Sequence, residues 1–112
     1  MSDMMKLASD FAVAIVDRNT DRAHAMLTQG LRGSMQPAEL LSELDVLADD
    51  MGGVNGIGEP MKILDDWPGK AANELAMIYV PLLGDVYSEA VTLTIANEDD
   101  RIRIGAIEWG RP

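Results

Sequence analysis

The sequence predicts an α+β fold in which helices come first and strands come last. Up to about residue 51, apolar residues recur at three- and four-residue spacing, which is typical of amphipathic helices. From residue 74 to residue 112, short alternating apolar runs are separated by turn signals, which indicates three consecutive strands. Helices and strands that are segregated along the chain favour an antiparallel sheet with the helices packed on one of its faces.

Length and composition predict a single domain over residues 1–112. Hydrophobic residues make up 47% of the chain, which is enough to bury a core and argues against global disorder. The absence of cysteine excludes disulfides, thiolate chemistry and cysteine-ligated metal sites. We also expect neither a cofactor nor a bound metal.

The net charge of −10 narrows the range of partners. An acidic surface repels nucleic-acid backbones and anionic membranes, so we expect neither as a partner. The same charge suits a soluble protein or one whose partner is basic. The first residues lack the basic region of a signal peptide, and no apolar stretch reaches membrane-spanning length, so the sequence predicts a cytoplasmic protein.

Apolar stripes and helix caps predict three helices, over residues 3–17, 21–31 and 37–51. Ser2 or Asp3 can cap the first helix and Asp21 the second. Pro37 suits the first position of the third because it lacks the N–H that would be unpaired there. Four glycines between residues 52 and 58 predict a flexible loop. Strands are then expected over residues 60–67, 74–83, 87–97 and 101–109.

Two of these strands are apolar on both faces. The predicted 74–83 strand alternates so that Met77 and Tyr79 share one face while Ile78 and Val80 share the other. In the last strand, alternation puts Glu108 on the same face as residues 102, 104 and 106, and it puts Ile107 and Trp109 on the other face. Helices can cover only one face of the sheet, so the second face needs another cover. We expect a homodimer that forms through the outer sheet face.

The order of elements and three segments resemble the nuclear transport factor 2-like (NTF2-like, or cystatin-like α+β) superfamily. The segments are Tyr79-Val80-Pro81-Leu82-Leu83, residues 88–93 and residues 104–112, the last of which is similar to the final strand of small SnoaL-like proteins. Where many relatives have an aromatic residue at the start of the last strand, this chain has Arg101-Ile102-Arg103. The resemblance implies a cone in which helices close over a curved sheet. It also implies room for a small apolar ligand and dimers through the outer sheet face.

The resemblance also provides a test for catalytic residues. Enzymes of the ketosteroid isomerase type use a tyrosine of the first helix in an oxyanion hole, whereas the only aromatic residue there in this chain is Phe11. The candidates that remain are the single histidine, His24, and a carboxylate from Asp65 or Glu108. Each also has a plain structural interpretation: an exposed histidine, a solvated strand end and a structural ion pair.

The candidate ligand pocket consists of apolar and aromatic residues that a cone can collect. They are Phe11, Met26, Trp67, Met77 and Tyr79. The alternative is that the eight methionines only fill gaps in the core.

Three functions are consistent with the sequence. The first is a non-catalytic dimeric module that binds a small apolar ligand or a protein partner. The second is a small isomerase, dehydratase or hydrolase that uses a pocket carboxylate with His24. The third is an inhibitor or immunity-type protein that neutralises a basic partner by charge. If His24 and a carboxylate open into one cavity the enzyme is favoured, whereas a cone filled with side chains favours a protein partner.

Overall fold

A computed structural model describes residues 3–110 and confirms the α+β fold. Helices at the N-terminus are followed by a strongly curled antiparallel sheet that forms a half-barrel. The helices are α1 (Asp3–Val16), α2 (Thr20–Ala25), α3 (Gln29–Ser34) and α4 (Pro37–Met51). The strands are β1 (Val54–Ile57), β2 (Met61–Leu64), β3 (Glu74–Gly84), β4 (Glu89–Glu98) and β5 (Arg101–Trp109). None of the described helices is long and apolar enough to cross a membrane.

The three long strands form the middle and one edge of the sheet. The strand order is β1-β3-β4-β5, and β2 also pairs with β3. Because Ile57 lies opposite Leu82 and Met61 lies opposite Tyr79, β1 and β2 cover different halves of β3. The strand β5 is therefore the edge of the sheet farthest from β1 and β2.

The concave face of the sheet is filled by side chains from the sheet and the helices. Residues Ile78, Val80 and Leu82 of β3 point to this face and are buried, as the alternation predicts. Among the described residues, twelve large apolar side chains are at most 2% exposed: Phe11, Ile15, Leu27, Leu40, Met51, Ile78, Val80, Leu82, Val91, Leu93, Ile95 and Ile104. The inside of the half-barrel is a packed core at these positions.

The predicted second helix, over residues 21–31, is wrong as a continuous element. The chain leaves the helical path after Ala25 and pairs with the edge of β5 before α3 begins. The main-chain oxygen of Met26 accepts a hydrogen bond from the Ile104 N–H, and the Thr28 N–H donates to the Ile104 oxygen, each at 2.9 Å. The Thr28 hydroxyl then accepts from the Leu31 N–H at 3.3 Å and so caps α3.

The glycine-rich segment at residues 52–58 contains β1 and is not wholly a loop. Val54 and Ile57 lie opposite Gly84 and Leu82 of β3. Main-chain pairing requires no side chains, so glycine does not prevent it when a longer strand provides the template. The predicted 60–67 strand is likewise shorter, ending at Leu64, and β4 begins at Glu89 instead of residue 87.

The predicted alternation of the last strand is interrupted by a β-bulge at Gly105. Thr94 lies opposite Ala106 while the next residue, Ile95, lies opposite Ile104, so one extra residue is inserted in β5. The bulge reverses the faces of the residues after it. Ile104 is therefore buried in the core, whereas Ala106 and Glu108 lie on the convex face.

Candidate functional site

The histidine that was a candidate base is held by main-chain oxygens. His24 is half-buried on α2, and its Nε2 lies 2.8 Å from the oxygen of Met35 and 3.3 Å from that of Arg32. A carbonyl only accepts, so Nε2 carries the hydrogen and donates it. This nitrogen is occupied in joining α2 to the segment before α4, which is a structural role.

We expect the His24→Ala variant to be less stable by about 1 kcal/mol, because the Met35 oxygen loses its donor in a half-buried position. Urea unfolding followed by circular dichroism measures this loss. The matched control is Arg22→Ala on the exposed side of the same helix, which should stay within about 0.5 kcal/mol of the wild type. Equal stability of both variants would mean that the His24 contact does not join the two segments.

Asp65 and Trp67 form a local turn after β2. The Asp65 side chain is exposed and lies 3.5 Å from Lys62 Nζ, and its main-chain oxygen accepts a hydrogen bond from Lys70 Nζ at 2.7 Å. The same Lys70 Nζ lies 5.4 Å from the centre of the Trp67 ring, within cation–π distance. This turn follows β2, whereas His24 lies close to the β5 edge, so the structure does not bring Asp65 and His24 together.

The five residues of the candidate ligand pocket do not line one cavity. Phe11 is fully buried in the core on the concave side, and Met26 is half-buried against that core. Met77 and Tyr79 lie on the convex face, since their neighbours Ile78 and Val80 point into the core. The sheet itself separates the two groups, and Trp67 lies in the turn after β2.

The convex face has a half-buried apolar surface that no described helix covers. We call it the convex patch, and it consists of Met61, Leu64, Met77, Tyr79, Thr92 and Thr94. Met61 is 49% exposed, whereas Thr92 and Thr94 in the middle of the patch are only 4% and 6% exposed. A cavity of about 280 Å³ lies on this face and is lined by residues that include Met77, Thr92 and Glu108.

A buried hydroxyl in the convex patch has no hydrogen-bond partner. Within residues 3–110, no donor or acceptor reaches Thr92 Oγ1, although the atom is shielded from solvent. Thr92 lies opposite Tyr79 on one side and opposite Glu108 on the other, and all three face outward. Most buried polar groups in proteins have a partner, so this oxygen is an exception to the usual pattern. The Glu108 side chain beside it is exposed. The prediction that Glu108 shares a face with residues 102 and 104 is wrong, because the bulge at Gly105 changes its face.

A second cavity of about 330 Å³ lies between α3, the first turns of α4 and β5. We call it the acidic groove. Its lining residues are Leu31, Ser34, Met35, Glu39, Glu43, Ile107 and Trp109. The floor is apolar, and Glu39 and Glu43 lie one helical turn apart on α4, so both carboxylates face the same side of the helix. None of the lining residues is basic.

Sequence patterns predicted only part of these two surfaces. The doubly apolar β3 strand indicated the convex patch, whereas the acidic groove was missed. Glu39 and Glu43 are four residues apart, as charged residues on a solvent-exposed helix face commonly are, so they gave no specific signal. Only the tertiary structure brings Ile107 and Trp109 beside them. A signal was present in Trp109, because a large aromatic residue near a strand end is often partly buried against another element.

Comparisons with known proteins add no family assignment. A scan against protein-family models found no match, and neither did searches of curated proteins and of solved structures. Within residues 3–110, no group of three or more histidine, aspartate or glutamate side chains is placed to hold a metal ion.

Proposed function

We propose that this chain is a non-catalytic protein-binding module of the NTF2-like type that forms a homodimer through the convex patch. The observation that carries the proposal is the convex patch itself, where Met61 and Leu64 are 49% and 43% exposed on a face that no described helix covers. A second copy packed against this surface removes these apolar side chains from water. The proposal places the protein in the cytoplasm, with which the cysteine-free sequence is compatible.

The filled concave side favours a protein partner over a small apolar ligand. Phe11 and Leu93 are completely buried there, in the region where the resemblance implies a ligand. The catalytic alternative lacks support, since His24 donates Nε2–H to main-chain oxygens and Asp65 lies in an exposed turn elsewhere. What supports a binding module is therefore the surface, with its apolar convex patch and the acidic groove.

Charge determines how the dimer should respond to salt. Each copy has a formal net charge of −10, so two copies repel each other at long range. The Debye length falls from about 30 Å at 0.01 M salt to about 8 Å at 0.15 M. We expect the dimer to become tighter as salt is added, because screening weakens the repulsion and leaves the apolar contact unchanged.

The Tyr79→Arg variant should be monomeric where the wild type is dimeric. Tyr79 lies beside Thr92 in the convex patch, so a charge there repels the facing copy and cannot be buried without a partner. Light scattering after size-exclusion chromatography, together with native mass spectrometry, measures the mass of the assembly and so distinguishes monomer from dimer. The matched control is Val46→Arg on α4, where the side chain is 65% exposed and the same charge is added outside the patch.

Two outcomes would contradict the proposal. One is a wild-type chain that stays monomeric at high protein concentration in 0.5 M salt, a condition chosen to favour association. The other is a dimer that survives Tyr79→Arg but dissociates on Val46→Arg, which would place the interface on the helices. Circular dichroism of each variant separates loss of the dimer from loss of the fold.

A further inference from the structure

We propose that a basic, extended segment of a partner protein adds to the free edge of β5 and places its lysine or arginine side chains in the acidic groove. The inference rests on the proposed protein-binding function and deepens it by naming the chemistry of the partner. Two features coincide at this place: main-chain groups of β5 that point to an open edge, and a cavity with an apolar floor beside two carboxylates.

The hydrogen-bond pattern of β4 and β5 shows which main-chain groups are free. The Gly110 N–H donates to the Ala90 oxygen at 2.8 Å, so this opposed pair is a hydrogen-bonded one. Hydrogen-bonded and non-hydrogen-bonded pairs alternate along an antiparallel ladder. The next non-hydrogen-bonded pairs place Trp109 opposite Val91 and Ile107 opposite Leu93. The N–H and C=O groups of Ile107 and Trp109 therefore point away from β4, towards the open edge.

The same edge already accepts a short added strand from this chain. Ile104 points its main-chain groups outward, and Met26 and Thr28 bond both of them in a parallel bridge centred on Leu27. This pairing ends at Thr28, where the chain turns into α3. Within residues 3–110, no main-chain partner continues the pairing along Ile107 and Trp109. An extended segment from another protein can continue it by strand addition.

The side chains beside this edge determine which segment fits. The apolar floor of Leu31, Met35 and Trp109 suits the aliphatic stem of a lysine or arginine, and Trp109 can also contact its cation. Glu39 and Glu43 at the side of the groove then meet the charged group. Glu39 accepts a hydrogen bond from the Gln36 N–H at 3.1 Å, which fixes its position at the start of α4. No lysine or arginine is among the described residues that line the groove, so none of their side chains neutralises Glu39 and Glu43.

The spacing of the two carboxylates matches an extended peptide. Residues four apart on a helix have Cβ atoms about 5–6 Å apart, whereas alternate residues of a strand are roughly 6.6 Å apart. A segment with basic residues at every second position can therefore present one cation to Glu39 and the next to Glu43. The overall charge of −10 attracts such a segment at long range and accelerates its association.

The test uses the full chain and a fluorescein-labelled heptapeptide that alternates valine and lysine, with binding measured by anisotropy at several salt concentrations. We expect binding that weakens as salt rises. A peptide with glutamate in place of lysine should not bind, and a peptide N-methylated at alternate residues should bind at least about ten-fold more weakly, because its main-chain donors are lost.

The Glu39→Gln/Glu43→Gln variant should also bind the lysine peptide about ten-fold more weakly. Glutamine at residue 39 can still accept from Gln36, so the start of α4 is retained.

The matched control is Asp49→Asn/Asp50→Asn, which removes two exposed acids from the end of the same helix and leaves the groove unchanged. Equal weakening by both double variants would show attraction by net charge alone and would overturn the proposal. Unchanged affinity for the N-methylated peptide would overturn strand addition. If the Tyr79→Arg chain stays dimeric and the peptide dissociates that dimer, the edge belongs to a second copy and not to a basic partner.

The proposed dimer and the proposed binding of a basic segment can be contradicted independently of each other. Tyr79 lies on the convex face, away from the groove, so a monomeric Tyr79→Arg chain should bind the lysine peptide as the wild type does. Dimerisation should strengthen with salt, whereas peptide binding should weaken. A chain that binds the peptide but never dimerises contradicts only the proposed dimer, and the reverse result contradicts only the groove.

Discussion

The Phe11→Ala variant is expected to lose about 3–5 kcal/mol of unfolding free energy, which is a large fraction of the stability of a domain this size. Phe11 is 0% exposed and packs in the core between α1 and the concave face of the sheet. Removing its ring leaves a cavity that the surrounding strands cannot close fully, because β3 and β4 are fixed by their hydrogen bonds. Urea unfolding at 25 °C measures the change, with the midpoint shifting at constant slope.

The control for this prediction lies on the same helix. Val13 is 38% exposed, so Val13→Ala should change the unfolding free energy by no more than about 0.5 kcal/mol. The comparison also tests the resemblance-based expectation that Phe11 lines a ligand pocket. A side chain that faces open space in the cone would lose less than about 1 kcal/mol on truncation, and that result would restore the ligand-binding hypothesis.

Local patterns predicted the middle of the fold well. In β3, Ile78 and Val80 alternate with Met77 and Tyr79, and the structure places the first pair in the core and the second on the convex face. This prediction succeeds because side-chain direction in a strand has a period of two residues and does not depend on distant contacts. The helical N-terminal half follows from apolar spacing for the same reason.

The predictions that depended on distant contacts were the ones that failed. Residues 26–28 have helical spacing, but two hydrogen bonds to Ile104 remove them from the helix. Nothing local to these residues indicates that β5 passes beside them, since the partner is far along the chain. The pairing at Ile104 separates α3 from α2, and α3 then lines the acidic groove together with β5.

The face of Glu108 depended on a single inserted residue. Counting in steps of two along 101–109 fails at Gly105, where the bulge adds one residue to β5. The candidate ligand pocket failed for a different reason. Sequence alone placed Met77 and Phe11 in one pocket because it cannot determine which face of the sheet the helices cover, and the structure places them on opposite faces.

The Gly84→Ala variant should be destabilised by about 3 kcal/mol, because there is no room for a methyl group at this position. A Cβ there would lie 2.6 Å from the Tyr87 oxygen, 2.7 Å from the Gly53 oxygen and 2.9 Å from Met51 Cβ. Two of these atoms are main-chain oxygens, which cannot move aside as a flexible side chain does. Relief requires opening the pairing of Gly84 with Val54, and so the attachment of β1 to β3.

The opposite result is expected from the same chemical change elsewhere in the chain. Gly30 lies in α3 with no atom within 4 Å of an added Cβ, so Gly30→Ala should increase the unfolding free energy by up to about 1 kcal/mol through helix propensity. Thermal and urea unfolding of the two variants, measured side by side, give the free-energy cost of the steric clash at Gly84 and the free-energy gain from helix propensity at Gly30. A Gly84→Ala chain as stable as the wild type would mean that the segments around Gly53 and Tyr87 do not close on the end of β3. The attachment of β1 would then have to be held by the pairings of Gly56 with Leu83 and of Ile57 with Leu82.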